Sequence, residues 1–448
     1  MIVTTDVPAA ASPRPMSSLL RSRWLWGVVA MALILRVALV IGTPHFSPLE
    51  DSAAYDTNAV QLVTNGSFAG SLETLHPGAS AYFPPGFSLL LAGVYELSGT
   101  GAHARWEAGR VTEAVLGAVA VLLIALIAAR LFGRRTALIA GAIAAVWPPL
   151  ILVGSSLLSE SLFIPLVLGA VLAALVYRDD RRSRWLLLSG LLIGLAALTR
   201  GNGLFVAIPV AFLVWVDRPR LSWRHVRAPA LVIVATLVVL VPWTIRNAEV
   251  FHRFVPVSTD FGFTLAGTFN STAQGPDRPF PAMWEMPQGH IQQLYAQHPG
   301  TNEAAINNTL LSEALTYIGH HPSSVLKTWY WGTVRLLDLT PEVERFYAPF
   351  ERYPTWLAMV SVYTFWVLAL ALIATLAWRP ARRVLEAAPA AIWGVPLALY
   401  LTTVLLNGTT RGRVPLDPFL IVVVAVGASK LARHAPQLGR SRPRQPAV

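Results

Sequence analysis

The chain has 448 residues, 54% of them hydrophobic and only 13% charged, with a mean hydropathy of +0.53. A soluble protein of this length carries about a quarter charged residues, so the composition excludes a water-soluble globular enzyme and implies a polytopic helical membrane protein. The net charge of +11 comes without zinc-finger or RNP-type spacing, which argues against nucleic acid as a partner, and the absence of cysteine excludes thiol nucleophiles, thiolate metal sites and disulfides.

Residues 1–20 are rich in Pro, Ser and Ala and are expected to form a disordered cytoplasmic N-terminus. Ten apolar runs follow, near 24–43, 110–129, 136–154, 157–177, 185–199, 203–216, 229–245, 356–378, 390–406 and 414–432. The first is long, carries Arg36 and lacks a small-residue cleavage site, so it reads as a retained signal anchor. A first outer loop, 44–109, opens with the adjacent carboxylates Glu50 and Asp51. It also holds the short apolar segment 86–97 behind Pro84-Pro85, read as an interfacial helix. The runs 185–199 and 203–216, parted only by Arg200-Gly201-Asn202, are two tilted spans or one broken helix. A large outer loop, 246–355, contains amphipathic segments over 303–338, and the chain ends in a basic cytoplasmic tail, 433–448.

Arginine sets the orientation. With the N-terminus in the cytoplasm and ten alternating spans, the short segments at 21–23, 130–135, 178–184, 217–227 and 378–383 and the tail fall inside and hold most of the 35 basic residues. Acidic residues divide the other way. Several polar groups that interrupt apolar sequence then land on the outer face: Glu50, Asp51, Glu160, Arg200, Arg246, Arg411 and Arg413. A charge beside hydrocarbon costs a few kcal/mol unless it is paired or hydrated, and arginine binds phosphate bidentately, so the set suits a lipid phosphate headgroup.

Each residue also has a plainer explanation. Arg246 and Arg411 read equally as arginines snorkelling to headgroups, and Glu160 equally as the buried structural partner of an arginine. Arg36 is expected to pair with a carboxylate or snorkel, and Asp56 to be helix-terminal or solvated. Tyr55, four residues after Asp51, either shares its helix face or is an interface aromatic. His45 and His76 are isolated and give no metal-ligand spacing.

The motifs LEDSAAYDTNAVQLVTNGSF, AYFPPGFSLLLAGVYEL, ARLFGRRTALIAGAIAAVWPPLI, LLSESLF, LAALTRGNGL, PWTIRNAEVFHRFVPVST and RGRVPLDPFL occur in this order from about residue 24 to 432. In them the chain resembles the polytopic GT-C glycosyltransferases related to protein O-mannosyltransferases and to the aminoarabinose transferase of lipid A. The resemblance implies an all-α GT-C transmembrane domain over 21–432, in a bacterial inner membrane, with both termini cytoplasmic and the site outside. It implies a polyprenyl-phosphate sugar donor, transfer with inversion to a lipid, glycan or protein acceptor, and no nucleotide or other cofactor. By position it makes Asp51 the catalytic base, with Glu50 its neighbour or substitute, Arg200, Arg246, Arg411 and Arg413 the donor-phosphate ligands, and Tyr55 and Glu160 supporting groups. A divalent ion occurs in some relatives, but no ligand set for a metal is legible. A flippase for a lipid-linked substrate and an O-antigen-ligase-like glycan transferase are the rival readings. The first would call for internal repeats and midplane charges, the second for a histidine or tyrosine base in a late loop.

Overall fold

The computed structural model describes residues 16–68, 78–215, 223–275, 282–340, 353, 355–406 and 408–438. Among them there is no β-strand. A single turn, α1 (Met16–Leu20), precedes α2 (Arg23–Gly42). Its Leu19 is buried against the bundle, so order begins before residue 21, short of the disorder expected through residue 20. Then come α3 (Glu50–Asn65), α4 (Pro85–Ser98), α5 (Ala102–Phe132), α6 (Arg134–Ala145), α7 (Pro148–Val153), α8 (Glu160–Asp180) and α9 (Ser183–Thr199). A 3₁₀ turn (Gly201–Val206) leads to α10 (Ala207–Val214) and α11 (Trp223–Phe251). The large loop supplies α12 (Asp260–Thr268), α13 (Gln288–Gln297), α14 (Glu303–His320) and α15 (Ser323–Leu336). The chain continues with α16 (Thr355–Ala377), α17 (Arg379–Glu386), α18 (Gly394–Val404), α19 (Thr410–Arg413) and α20 (Asp417–Leu438).

All ten apolar runs are helical, yet among the described residues only α2, α5, α8, α11 and α16 are long and apolar enough to cross a membrane unaided. A sixth crossing arises only if α17 and the segment Ala390–Val404, bent by 102°, count as one. The chain is a multi-pass membrane protein. The remaining runs are interrupted where the sequence carries breakers. Pro148 and Pro149 start α7 and part it from α6, since proline brings no N–H and disfavours helix in the residue before it. Extended backbone at Arg200 (φ −147°, ψ 126°) separates α9 from the 3₁₀ turn that runs on into α10, so the stretch 185–214 is a broken helical segment, not one continuous helix.

The largest core cluster surrounds α8, which packs on α5 and α9, and smaller clusters lie under the large loop and beside α9 and α20. Small residues let helices approach: a Cβ on Gly190 would lie 2.5 Å from the Val232 carbonyl, and one on Gly194 would lie 2.6 Å from Val239 Cβ. The G-x-x-x-G face of α9 thus meets α11 almost backbone to backbone. At one end of the bundle, α4, started by Pro85, lies across α3, α5 and α9. Buried Glu303 ties this region to the large loop. It accepts the Ser80 hydroxyl (2.7 Å), the Ala81 N–H (2.9 Å) and the Thr259 hydroxyl.

Two expectations fail here. Asp56 is not solvated: it is 4% exposed and holds Arg105 through two bonds of 2.9 and 2.8 Å, with the Tyr95 hydroxyl at 2.9 Å. It faces inward because α3 lies under α4 rather than on the surface. Among the described residues Arg36 meets no carboxylate, and it does not snorkel. Its guanidinium is buried and Nη1 donates to the carbonyls of Ala32 (2.9 Å) and Ala145 (3.5 Å), the latter left open where α6 ends. The tail expected over 433–448 starts inside α20, and its residues 439–448, like His76 and residues 1–15, lie outside the described residues.

Candidate active site

Four of the sequence-predicted residues meet at helix ends on one side of the bundle. Asp51 stands in the first turn of α3, Glu160 at the start of α8, Arg200 just past α9 and Arg411 in α19. The first turn of a helix favours acidic side chains, because its free N–H groups and dipole attract negative charge, and both acids use that position. Arg411 binds them together. Its Nε and Nη2 donate to Glu160 Oε1 and Oε2 at 2.7 and 3.0 Å, and its Nη1 donates to Asp51 Oδ2 at 2.6 Å. Arg200 Nη1 shares Glu160 Oε1 at 2.7 Å and also donates to Ser159 Oγ at 3.0 Å. The four side chains therefore form a neutral, charge-assisted network with two cations and two anions.

Exposure grades the network from inside to outside. Glu160 is 0% exposed, Arg411 10%, Arg200 26% and Asp51 38%. Burial opposes the charge on Arg411, but Glu160 and Asp51 more than offset it, so its affinity for its proton is raised above the ordinary arginine value. Tyr55 packs between Phe83 and Phe87 and donates its hydroxyl to Ser159 Oγ at 3.0 Å. Burial, followed by the charge of Asp51, pushes its phenol well above the usual range, so it remains a proton donor rather than a base. Glu50 is exposed at the start of α3 with φ 45°.

The structure does not bring Arg246 or Arg413 into this network. Arg246 donates to the carbonyls of Ser80 (3.0 Å) and Phe68 (3.3 Å) and lies 4.8 Å over the Trp243 ring. Arg413 is 1% exposed, 2.7 Å from Asp338 and 3.4 Å from Asp417, with Phe365 stacked on its guanidinium. Among the described residues neither touches Asp51, Glu160, Arg200 or Arg411. No group of three or more metal-ligating side chains gathers among the described residues, and His45 belongs to none.

Two members of the site escaped the sequence reading. Ser159 joins Tyr55 to Arg200, but it is one of several serines in SSLLSES and nothing local marks it out. Asp260 begins α12 within electrostatic reach of Arg200 and Asp51, and accepts the Ser258 hydroxyl at 2.6 Å. Desolvation raises its carboxyl above the ordinary value. An acidic residue opening an amphipathic segment after a Pro/Ser/Thr stretch was the available signal.

Beside the network runs an apolar groove of ≈ 930 Å³. Its walls come from the 3₁₀ turn after Arg200 (Phe205), from α10 (Phe212), from α12 immediately after Asp260 (Phe261, Leu265) and from α18 (Leu397, Leu401). The groove is linked to the network through the chain, since Phe205 lies in the 3₁₀ turn that follows Arg200 and Phe261 directly follows Asp260.

The chain shares the fold of solved oligosaccharyltransferases, and part of it matches one family of membrane mannosyltransferases. Residues 83–245 match the dolichyl-phosphate-mannose-protein mannosyltransferase family. Among solved structures, the oligosaccharyltransferase of Archaeoglobus fulgidus in its apo form superposes with a TM-score of 0.54 at 14% identity, covering 96% of this chain and 54% of the other. The Archaeoglobus fulgidus oligosaccharyltransferase AglB, in complex with an inhibitory peptide and a dolichol-phosphate, gives 0.51 at 14%, covering 95% and 53%. The chain thus spans about half the length of these proteins. ArnT from Cupriavidus metallidurans gives 0.41 at 17% identity over 94% of this chain and 81% of its own. No curated protein sequence matches the chain.

Proposed function

We propose that this chain is a glycosyltransferase of the bacterial inner membrane. In this reading it moves a sugar from a polyprenyl-phosphate donor to an acceptor hydroxyl on the outer face, with inversion at the anomeric carbon. The observation that carries the reading is the adjacency of the Asp51–Arg411–Glu160–Arg200 network to the apolar groove. Phosphate on Arg200 and Arg411 with the polyprenyl tail along Phe205, Phe261 and Leu265 leaves the sugar beside Asp51 and Asp260.

The chemistry follows from the strengths of the contacts. Arg411 holds Glu160 by two bonds to a fully buried carboxylate, but Asp51 by one bond to a partly exposed carboxylate. An arriving phosphate displaces the weaker partner and takes the Arg411 donor that Asp51 gives up. Asp51 is then free to accept the proton of the acceptor hydroxyl as its oxygen attacks the anomeric carbon. The bond from that carbon to the phosphate oxygen breaks on the opposite side of the sugar, and the electron pair leaves with the polyprenyl phosphate. Arg200 and Arg411, preorganised by Glu160, stabilise the developing phosphate charge.

Sugar transfer in vesicles from a panel of labelled polyprenyl-phosphate sugars tests this. Asp51→Asn is expected to lose about 10²- to 10⁴-fold in turnover while remaining folded. A folded Asp51→Asn protein with wild-type turnover refutes the role of Asp51, and a panel in which no donor serves refutes the donor class. Asn65→Cys, at the exposed end of α3 in this cysteine-free chain, reports the side: labelling only from the cytoplasm overturns the outer-face assignment.

A further inference from the structure

The stretch 154–159, between α7 and α8, carries Ser159 and Glu160 into the site, and its backbone conformation is imposed from outside. Leu157 has φ 55°, a left-handed conformation costly for a side chain of this kind, which persists only where the surroundings fix it. Most of the fixing groups lie on one face of α5, joined by Tyr353. Glu113, fully buried, accepts the backbone N–H groups of Leu157 and Leu158 on its two carboxyl oxygens, each at 2.7 Å. Arg110, one turn earlier, donates from Nε to the Ser155 carbonyl at 2.7 Å, and the Tyr353 hydroxyl donates to the same carbonyl at 2.6 Å. The Leu157 side chain is pressed onto α5 as well, since a Cβ on Gly109 would lie 2.7 Å from it.

We infer that Glu113 is a positioning residue for the donor site. By clamping the left-handed turn at Leu157 it sets where Ser159 and Glu160 stand, and through Glu160 it sets the guanidinium groups of Arg200 and Arg411. The inference rests on the reading of those arginines as the phosphate ligands. Two neighbouring backbone N–H groups need two acceptors side by side, which a carboxylate supplies. Glutamine supplies one and turns its own N–H₂ against the second donor, leaving a buried N–H unsatisfied. Relaxation of Leu157 toward ordinary φ then rotates the start of α8 and moves Glu160.

The test measures binding of polyprenyl phosphate and donor kcat/KM in detergent-solubilised full-length protein, for wild type, Glu113→Gln, Leu157→Gly and the double variant. Glu113→Gln is expected to lower both quantities about tenfold, the equivalent of one lost buried hydrogen bond. Glycine accepts φ 55° without a clamp. The Glu113→Gln effect should therefore shrink to within about twofold when Leu157→Gly is the background, whatever packing Leu157→Gly itself costs. A purely structural role for Glu113 gives no such coupling. If Glu113→Gln does not yield folded protein, Glu113→Asp, which keeps two acceptors at shorter reach, serves in its place with the same expected coupling. Binding by Glu113→Gln within twofold of wild type overturns the positioning role, as does a tenfold loss that Leu157→Gly leaves unchanged. A wild-type protein that fails to bind polyprenyl phosphate overturns the donor-site reading instead, and this inference with it.

Discussion

Glu160→Gln is the perturbation whose cost can be worked most directly from the structure. The carboxylate is 0% exposed and accepts three charge-assisted bonds, two from Arg411 and one from Arg200. In the amide, the carbonyl oxygen keeps at most the two donors now on Oε1, and the N–H₂ group faces a guanidinium N–H. Removing one partner of a buried ion pair costs about 3–5 kcal/mol. The lower end applies here, because Arg411 keeps its 2.6 Å bond to Asp51 and Arg200 is partly solvated. About 3 kcal/mol should therefore appear as lost stability, or, if the protein relaxes locally instead, as a loss of roughly 100-fold in polyprenyl-phosphate affinity. Reversible SDS unfolding in mixed micelles reads the first, and tail-labelled polyprenyl phosphate in the same micelles reads the second. A variant that unfolds at the wild-type SDS fraction and also binds within threefold of wild type would refute the argument that Glu160 preorganises both arginines.

Asp260→Asn addresses a carboxyl whose folded-state affinity for its proton is raised by desolvation from the ordinary 3.8. The folded state then binds more protons than the unfolded one just above that value, so Asp260 lowers stability as pH rises from 3.8 through its raised folded value, and no further beyond it. The asparagine variant should lose this part of the slope in SDS-unfolding titrations against pH, and an unchanged slope counts against the burial. Asp338→Ala removes the partner of Arg413 at 2.7 Å and of the Thr410 hydroxyl at 2.5 Å, with both charged side chains 1% exposed. The expected loss is about 3–5 kcal/mol in the same assay, with donor affinity falling as well because Thr410 and Arg413 bound the short helix that presents Arg411.

The bundle was legible because apolar runs of spanning length have few alternatives in a chain this poor in charge. Every run proved helical, and the breaks fell at Pro148-Pro149 and Arg200, where local chemistry forbids or interrupts continuation. The amphipathic stretch 303–338 likewise became α14 and α15. Arg36 and Asp56 depart from expectation for one physical reason: their surroundings are set by α6 and by α4 and Arg105, elements that no local pattern identifies as partners.

The sequence by itself determined the solvent, the helices and the concentration of acids and arginines at run ends, because each follows from composition and from the cost of a charge in hydrocarbon. Only the tertiary structure decided which of those charges meet. Arg411 reaches Asp51 across 360 positions and Glu160 across 251, separations at which one sequence carries no pairing signal. Arg411 and Arg413 show the point at closest range. They lie two residues apart on α19, and about 100° of turn per residue sends them to opposite sides of the helix. One therefore enters the acid–arginine network beside the groove, and the other is sealed between Asp338, Asp417 and Phe365.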